Sequence, residues 1–387
     1  MGKTFYEFFA GGGMARLGLG PDWTCLFAND FDPEKAESYR ANWGGDEFFC
    51  GDLAKVEAER LPGAAELAWA SFPCQDLSLA GAGRGMGGAQ DEVRTRSGAF
   101  WLFHDKMRAL RTQARAPKLI VLENVAGVLT SHGGRDFRAI VAALSELGYL
   151  TGAFVLDARF FTPQSRPRVF FVAAREDFAH LTSYVGAAPE KIWTPPALAA
   201  AQKNLPPALK ARWVWWRLPE PARRIAELID ILEDEPPQAP WRAPAATQRL
   251  LDLMAPAHRE KIREIQASGR RAVGAVYRRT RRDEDGRKAQ RAEARFDGMA
   301  GCLRTPGGGS SRQTLLEIDG ASIRSRLLSP REAARLMGLP DSYILPRAAT
   351  QAYKLCGDGL CVPVIRHLAR HLLEPLLDGE ARLAAAE

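Results

Sequence analysis

Residues 4–30, TFYEFFAGGGMARLGLGPDWTCLFAND, decide the fold. TFYEFFA reads as a strand, GGGMARLGL as a turn entering a helix, and WTCLFAND as a second strand. Glycines 11, 12 and 13 directly after the first strand let the backbone turn sharply and come close to a bound cofactor. Alone the cluster says little. Met14, Ala15 and Arg16 follow, so the GxGxxG spacing is not met, and nicotinamide enzymes begin in a similar way.

Outward from this unit the alternation continues. FDPEKAESYRANW predicts a helix with Pro33 in its first turn, and AELAWASF a strand. FWLFHDKMRALRTQA is a helix, KLIVLENV a strand, FRAIVAALSELGY a helix and RVFFVAAR a late strand. Strands alternating with helices of this length predict an α/β fold whose parallel sheet is covered on both faces. After residue 176 the pattern breaks. Prolines cluster, and Trp213, Trp215, Trp216 and Trp241 sit among arginines. Residues 176–325 therefore read as a second, smaller and irregular domain between 1–175 and a returning segment, 326–387. In that return, LLSPREAARLMGLP predicts a helix with Ser329 as N-cap, Pro330 at its first position and Glu332 at its third. A last helix is expected over 363–377.

The chain has 387 residues, 46% hydrophobic and 26% charged, as in soluble globular proteins. Its apolar runs are too short to span a bilayer, and no apolar signal segment opens it, so no membrane partner and an intracellular site are expected. Six cysteines (25, 50, 74, 302, 356 and 361) form no CxxC pair, which argues against a disulfide framework. Cys356 and Cys361 have the wrong spacing for most zinc sites, and His367 with His371 lacks the Glu of HExxH; no metal is expected. Between Arg259 and Arg304 lie fourteen Lys or Arg against seven Asp or Glu, which accounts for the whole net charge of +7. A basic segment in an otherwise neutral protein points to a polyanion, nucleic acid first.

Candidate site residues stand at strand ends. Asp30 can accept from ribose hydroxyls and Phe31 can stack on adenine; Asp52, in CGDL, can accept from an adenine amine. Each has an ordinary alternative as a loop cap, but three successive strand ends together suggest an adenosine-containing cofactor. WASFPCQDLSLAG, 69–81, places Cys74 after Pro73 and before a glycine-rich stretch long enough to be a lid. Free cysteines are mostly buried and inert, but this context makes Cys74 a candidate nucleophile. LENV adds Glu123 and Asn124, and QSRPR adds Gln164, Arg166 and Arg168 at alternate positions, expected to converge on one face. Thiol, carboxyl and guanidinium groups suit nucleophilic addition to an electron-poor ring, with the acid on a ring nitrogen and arginine on a carbonyl oxygen.

With FAGGG, NDFD, GDL, PCQDLSLAG, LENV, QSRPR, LLSPREAARLMGLPDSY and QAYKLCGDGL in this order, the chain resembles bacterial DNA cytosine-5 methyltransferases over 4–175 and 326–372. The resemblance implies a Rossmann-like class I sheet and S-adenosylmethionine as methyl donor, released as S-adenosylhomocysteine. It also implies a cytosine flipped out of double-stranded DNA. Phe9, Gly11 and Gly13 would line the methionine side of the cofactor, with Pro73 a further contact. Asp30 would hold the ribose, Phe31 stack on adenine, and Asp52 and Leu53 complete the adenine pocket. Cys74 would attack C6, Glu123 protonate N3 and hold the amine, and Arg168 contact O2 with Arg166 supporting it. The Pro/Trp/Arg-rich insert would be the target-recognition domain. A monomer in the bacterial cytoplasm or nucleoid, with any cognate restriction endonuclease acting separately, completes the implication. Asp30-Phe31 replaces a common Glu-Trp, Ser71 a common Gly and Leu77 a common Phe, while Gly357-Asp358-Gly359 replaces the usual Gly-Asn-Ser. A tRNA cytosine methyltransferase of the same fold would share PCQ and ENV, but the insert lacks a CFT-type motif. A catalytically silent DNA-binding paralogue would not need the cysteine, acid and arginines.

Overall fold

The computed structural model describes residues 2–73, 98–178, 181–282, 286, 288–306 and 312–384. The chain divides into two compact units: 1–157 with 167–221 and 364–387, and 158–166 with 222–363.

The first unit begins with β1 (Lys3–Phe8), α1 (Met14–Leu19), β2 (Trp23–Asp30), α2 (Pro33–Trp43), β3 (Phe48–Cys50) and β4 (Leu67–Ala70). It continues with α3 (Ala99–Thr112), β5 (Leu119–Val125), α4 (Arg135–Glu146), β6 (Tyr149–Asp157) and β7 (Pro167–Arg175). The strands form one sheet in the order β3-β2-β1-β4-β5-β7-β6. β1 to β5 are mutually parallel, whereas β7 runs antiparallel to both β5 and β6. The expectation of an all-parallel sheet thus fails at one end. Residues 158–166 are too few for the crossover that a parallel β6–β7 pair needs, so the chain reverses.

Leu119 to Leu122 are fully buried, as expected for an inner strand covered on both faces. Phe8, Phe72, Phe100, Phe103, Phe137 and Phe171 share one core, with Phe8 and Phe103 edge to face at 5.2 Å. The proline- and tryptophan-rich stretch up to residue 221 packs within this unit through β8 (Val185–Gly186), α5 (Pro196–Lys203), α6 (Pro207–Lys210) and β9 (Trp215–Trp216). Trp216 Nε1 donates to Val172 O at 2.9 Å. Gly152 leaves room for this packing, because a Cβ there would stand 2.3 Å from Val214 O.

The second unit, expected to be irregular, contains a regular antiparallel sheet. Its elements are α7 (Pro244–Asp252), α8 (Pro256–Ala267), β10 (Ala272–Arg282), β11 (Lys288–Arg295), β12 (Thr314–Asp319), β13 (Ser322–Leu327), α9 (Pro330–Leu336) and α10 (Ala349–Asp358). The strand order is β11-β10-β12-β13. Leu250 and Ile262 of the helices, with Met254 between them, pack on Val276, Ala292, Leu316 and Ile318 of the sheet. α9 has the expected capping box: Ser329 Oγ accepts from Glu332 N at 3.1 Å, and Glu332 Oε2 accepts from Ser329 N at 2.7 Å. Glu332 also pairs with the buried Arg326 at 2.6 Å, so the cap and a buried ion pair share one carboxylate. The last helix is not one uniform rod. α11 (Val362–Leu368) passes through a π-turn at Ala369–Leu373 into α12 (Glu374–Ala384).

Candidate active site

In the first unit the loop after β1 is wound through left-handed backbone. Phe9, Gly11 and Gly13 have φ of 58°, 57° and 76°. For Phe9 this conformation costs roughly 1–3 kcal/mol, a strain of the kind that collects at ligand sites. Gly13 must be glycine, since a Cβ would lie 2.3 Å from Trp43 Nε1. Above Gly11 the opposite holds: an added Cβ meets nothing within 4 Å, so a ligand can approach its backbone.

Asp30 fixes this loop. Its Oδ2 accepts from Gly11 N at 2.9 Å and its Oδ1 from Asp32 N at 2.9 Å. Burial pushes its carboxyl up, against the nearby Lys35 charge and the two backbone donors, which favour the charged form. Neighbouring strand ends are tied together as well. Asn29 Nδ2 donates to Phe49 O at 3.1 Å and Gly51 O at 2.9 Å, and Gly51 N donates to Asp30 O at 2.9 Å. Phe31 projects from this framework 63% exposed, a bare aromatic face beside a buried carboxylate. Asp52 caps the next turn, with Oδ1 accepting from Ala54 N at 2.9 Å, and Leu53 packs into the core.

The loop also rests on a buried polar network that the sequence reading missed. Glu7 is 1% exposed in β1, and burial pushes its carboxyl up to about 8. The Arg16 charge and the backbone N–H groups of Arg16 and Ala15 act against that shift. Arg16 Nη1 donates to Tyr39 Oη at 2.9 Å and also pairs with Glu47, while Trp43 Nε1 donates to Gly12 O at 3.1 Å. A lone carboxylate inside the aromatic run TFYEFF was the available signal.

At the ends of β4 and β5, Asn124 Nδ2 donates to Phe72 O at 3.3 Å and Asn124 Oδ1 accepts from Val125 N at 2.8 Å. This bond secures the backbone just before Pro73. Cys74 lies outside the described residues, as does the glycine-rich stretch that follows it. In the β5–β7 register Glu123 faces Phe170 and Val125 faces Arg168, so Glu123 and Arg168 are diagonal neighbours on one sheet face. Arg168 Nε lies 3.3 Å from Glu123 Oε1, and both side chains are largely buried.

The expected convergence of Gln164, Arg166 and Arg168 at alternate strand positions is not what the chain does. β7 begins at Pro167, and the two earlier residues lie in the second unit. There Gln164 Nε2 donates to Leu336 O at 2.9 Å and its Oε1 accepts from Leu303 N at 3.1 Å. Arg166, 2% exposed, donates to Leu303 O at 3.0 Å, Gly357 O at 2.9 Å and Gly359 O at 2.7 Å. Gly357 packs so closely that a Cβ would stand 2.6 Å from the backbone of Arg304 and Thr305. The carboxylate of Asp358 accepts from the Thr305 hydroxyl.

Among the described residues no cluster of His, Cys, Asp and Glu could hold a metal ion. His367 instead bonds Pro219 O at 2.8 Å and packs on His371 with ring centroids 4.6 Å apart. No helix among the described residues is long and apolar enough to cross a membrane.

Known proteins give this arrangement its context. Solved structures share the fold: a Dnmt2 methyltransferase of S. pombe superposes with a TM-score of 0.61 at 17% identity, covering 97% of this chain and 99% of that one. A putative DNA modification methyltransferase encoded within an E. coli prophage reaches 0.55 at 15% identity, covering 97% and 99%. In sequence, the type II methyltransferase M.NlaX of Neisseria lactamica is 28% identical over 370 residues, 95% of each chain. The type II methyltransferase M.HpaII of Haemophilus parainfluenzae is 27% identical over 391 residues, 96% of this chain and 90% of its own. The model of the C-5 cytosine-specific DNA methylase family matches residues 3–374, and with the glycine loop, the exposed Phe31 and the Glu123–Arg168 pair in place this chain belongs to that family.

Proposed function

We propose that this chain methylates C5 of a cytosine in double-stranded DNA by a covalent route through Cys74. The observation that carries the reading is the Glu123–Arg168 pair, a carboxyl and a guanidinium on one sheet face at 3.3 Å. Such a pair matches the edge of a cytosine ring, the acid toward N3 and the amine and the arginine toward O2.

S-adenosylmethionine, the family's methyl donor, supplies an electrophilic methyl group when bound. The first unit suits it: Phe31 offers an exposed ring for adenine, Asp30 a buried carboxylate beside it, and Gly11 an open backbone next to strained Phe9. Gly13, Asp52, Leu53 and Pro73 complete the proposed cofactor contacts. In the proposed mechanism the Cys74 thiolate adds to C6, and the C5–C6 electron pair becomes available at C5. Glu123 supplies a proton to N3 as the ring accepts the thiolate, and Arg168 neutralises charge growing on O2. Once C5 is methylated, loss of its proton restores the double bond and expels the thiolate, and N3 returns its proton to Glu123. Arg166, in the second unit, acts in this reading on the backbone of that unit, through Leu303, Gly357 and Gly359.

The second unit, with its concentrated positive charge, is proposed to select the DNA target, and the cytosine to be flipped out before reaction. The protein would act as a monomer without a metal ion in the bacterial cytoplasm, any companion endonuclease being a separate chain. Incubating the purified chain with S-adenosylmethionine and a duplex library, followed by bisulfite sequencing, tests the activity. Protected cytosines in a defined context support it; uniform conversion would overturn it.

A further inference from the structure

Glu7 stands two residues before Phe9, where the left-handed glycine loop begins. On β1 it lies opposite Ala28 of β2 and Trp69 of β4. Its carboxyl faces the backbone N–H groups of Ala15 and Arg16, in the first turn of α1. Gly13, just before that turn, has no side chain to cap it, so an acid from the neighbouring strand serves instead. Yet Glu7 Oε2 is buried and has no hydrogen-bond partner among the described residues.

The groups around Glu7 leave its charge short of a counterion. Arg16 acts on it as a cation, but Arg16 Nη1 already donates to Tyr39 Oη at 2.9 Å and pairs with Glu47. Tyr39 Oη in turn donates to Glu47 Oε1 at 3.2 Å and points at Cys25 Sγ at 3.7 Å. Burial pushes the Cys25 thiol up to about 12 and raises the Tyr39 phenol too, so both stay neutral. From the end of β2, Asp30 adds a further negative field. β4, on the other side, offers Leu67, Ala68, Trp69 and Ala70 and no charge. Arg366 of α11 is held at the far end of α1, by Leu19 O and Glu374. With Glu7 and Glu47 both ionised against Arg16, the cluster is one cation short.

A buried carboxylate in this state is stabilised by a cation that arrives with a ligand. The methyl donor brings one at its sulfonium and loses it on transfer, because the product is a neutral thioether. We propose that ionised Glu7 selects the cationic donor over the neutral product at the glycine loop, and that donor binding therefore releases the Glu7 proton to solvent. The proposal rests on the reading of S-adenosylmethionine as donor given above. It adds that donor and product are told apart by charge from below the loop, and that the distinction fades as Glu7 takes up its proton.

The test reads binding rather than methyl transfer. The full chain is titrated calorimetrically with S-adenosylmethionine and, separately, with S-adenosylhomocysteine between pH 6 and pH 9. Buffers of different ionisation heat give the protons exchanged as well as the affinity. Burial pushes the Glu7 carboxyl up to about 8, so its change of state falls inside this range. The ratio of donor to product affinity is expected to rise about 10-fold with pH, the scale of one charge pair about 10 Å apart at an effective dielectric near 20. Near pH 7.5 the donor should release about half a proton more than the product does. Glu7→Gln, neutral at every pH, should hold the ratio at the low-pH value and lose the excess release. The ligands' own amino groups titrate alike against both proteins, so the difference between the proteins belongs to Glu7. At pH 6 the variant should melt close to the unmodified chain, whose Glu7 is then protonated; the excess release by the unmodified chain is decided without the variant. An equal rise of the ratio in the variant, or no excess release in the unmodified chain, overturns the proposal. Binding of both ligands with the same pH profile overturns the role of Glu7 alone; binding of neither overturns the donor reading with it.

Discussion

Arg168 reaches Glu123 because β7 runs against β5: Nε and Oε1 are 3.3 Å apart across a diagonal of the antiparallel pair. A parallel strand in that place would enter the sheet from its other edge and carry Arg168 away from the end of β5. The local reversal is what brings acid and guanidinium together. Glu123→Gln is expected to lower kcat about 100-fold or more, the scale of lost general acid catalysis. Arg168→Ala should cost a comparable factor. The double variant should lose less than the product of the two, because the side chains are in contact and act together. Single-turnover methyl transfer at saturating DNA and donor measures all three.

Asp30 and Phe31 adjoin in sequence, but substitution should separate them. Phe31→Ala removes a ring that is 63% exposed, so the melting temperature should hardly change while donor affinity falls about 10-fold. Asp30→Ala leaves the Gly11 and Asp32 N–H groups without their acceptor and should weaken both donor binding and stability, the latter by about 1–3 kcal/mol. Calorimetric donor titration and thermal melting provide the two readouts.

Glu7 gives the first unit a pH dependence of known sign. Its carboxyl titrates at about 8 in the folded protein against 4.5 without burial, so the folded state binds a proton more tightly than the unfolded chain does. This group's contribution to stability is therefore fully present below 4.5, declines as pH rises, and is lost through about 8, at roughly 1.4 kcal/mol per pH unit. Glu7→Gln, neutral throughout, should show a flatter profile and melt higher than the unmodified protein at pH 8.5. Melting curves between pH 5 and pH 9 measure this.

Arg166 binds three main-chain carbonyls while 2% exposed, and that predicts a structural effect on the second unit. Arg166→Ala should lower stability by about 3 kcal/mol or more, the cost of several buried acceptors left unmet. Donor affinity should change far less than in Asp30→Ala. Denaturant unfolding alongside donor titration distinguishes the two effects.

Much of the fold was legible because local and global signals agreed. β1, β2 and β5 announce themselves by apolar runs ending in polar groups, and α9 by its capping box. β6 was missed because both its faces are largely covered, which leaves no alternation to read, and without β6 the reversal of β7 could not be seen. Arg278 to Arg282 extend β10 beyond its core-packed Val276, a strand end that an arginine-rich run does not announce. Gln164 and Arg166 illustrate the limit most clearly. Their spacing suggests one strand face, but backbone carbonyls at Leu303, Leu336, Gly357 and Gly359, distant in sequence, take up their polar groups.

The covalent role of Cys74 is the central claim, and trapping tests it most directly. A duplex carrying 5-fluorocytosine at the methylated position has no C5 proton to lose, so the thiolate cannot be expelled after methyl transfer. Mass spectrometry of the protein incubated with this duplex and S-adenosylmethionine should find the DNA strand bonded to the peptide containing Cys74, and no adduct in Cys74→Ser. Methylation of the ordinary duplex with no adduct to the fluorinated one, or an adduct that survives in Cys74→Ser, would contradict the account.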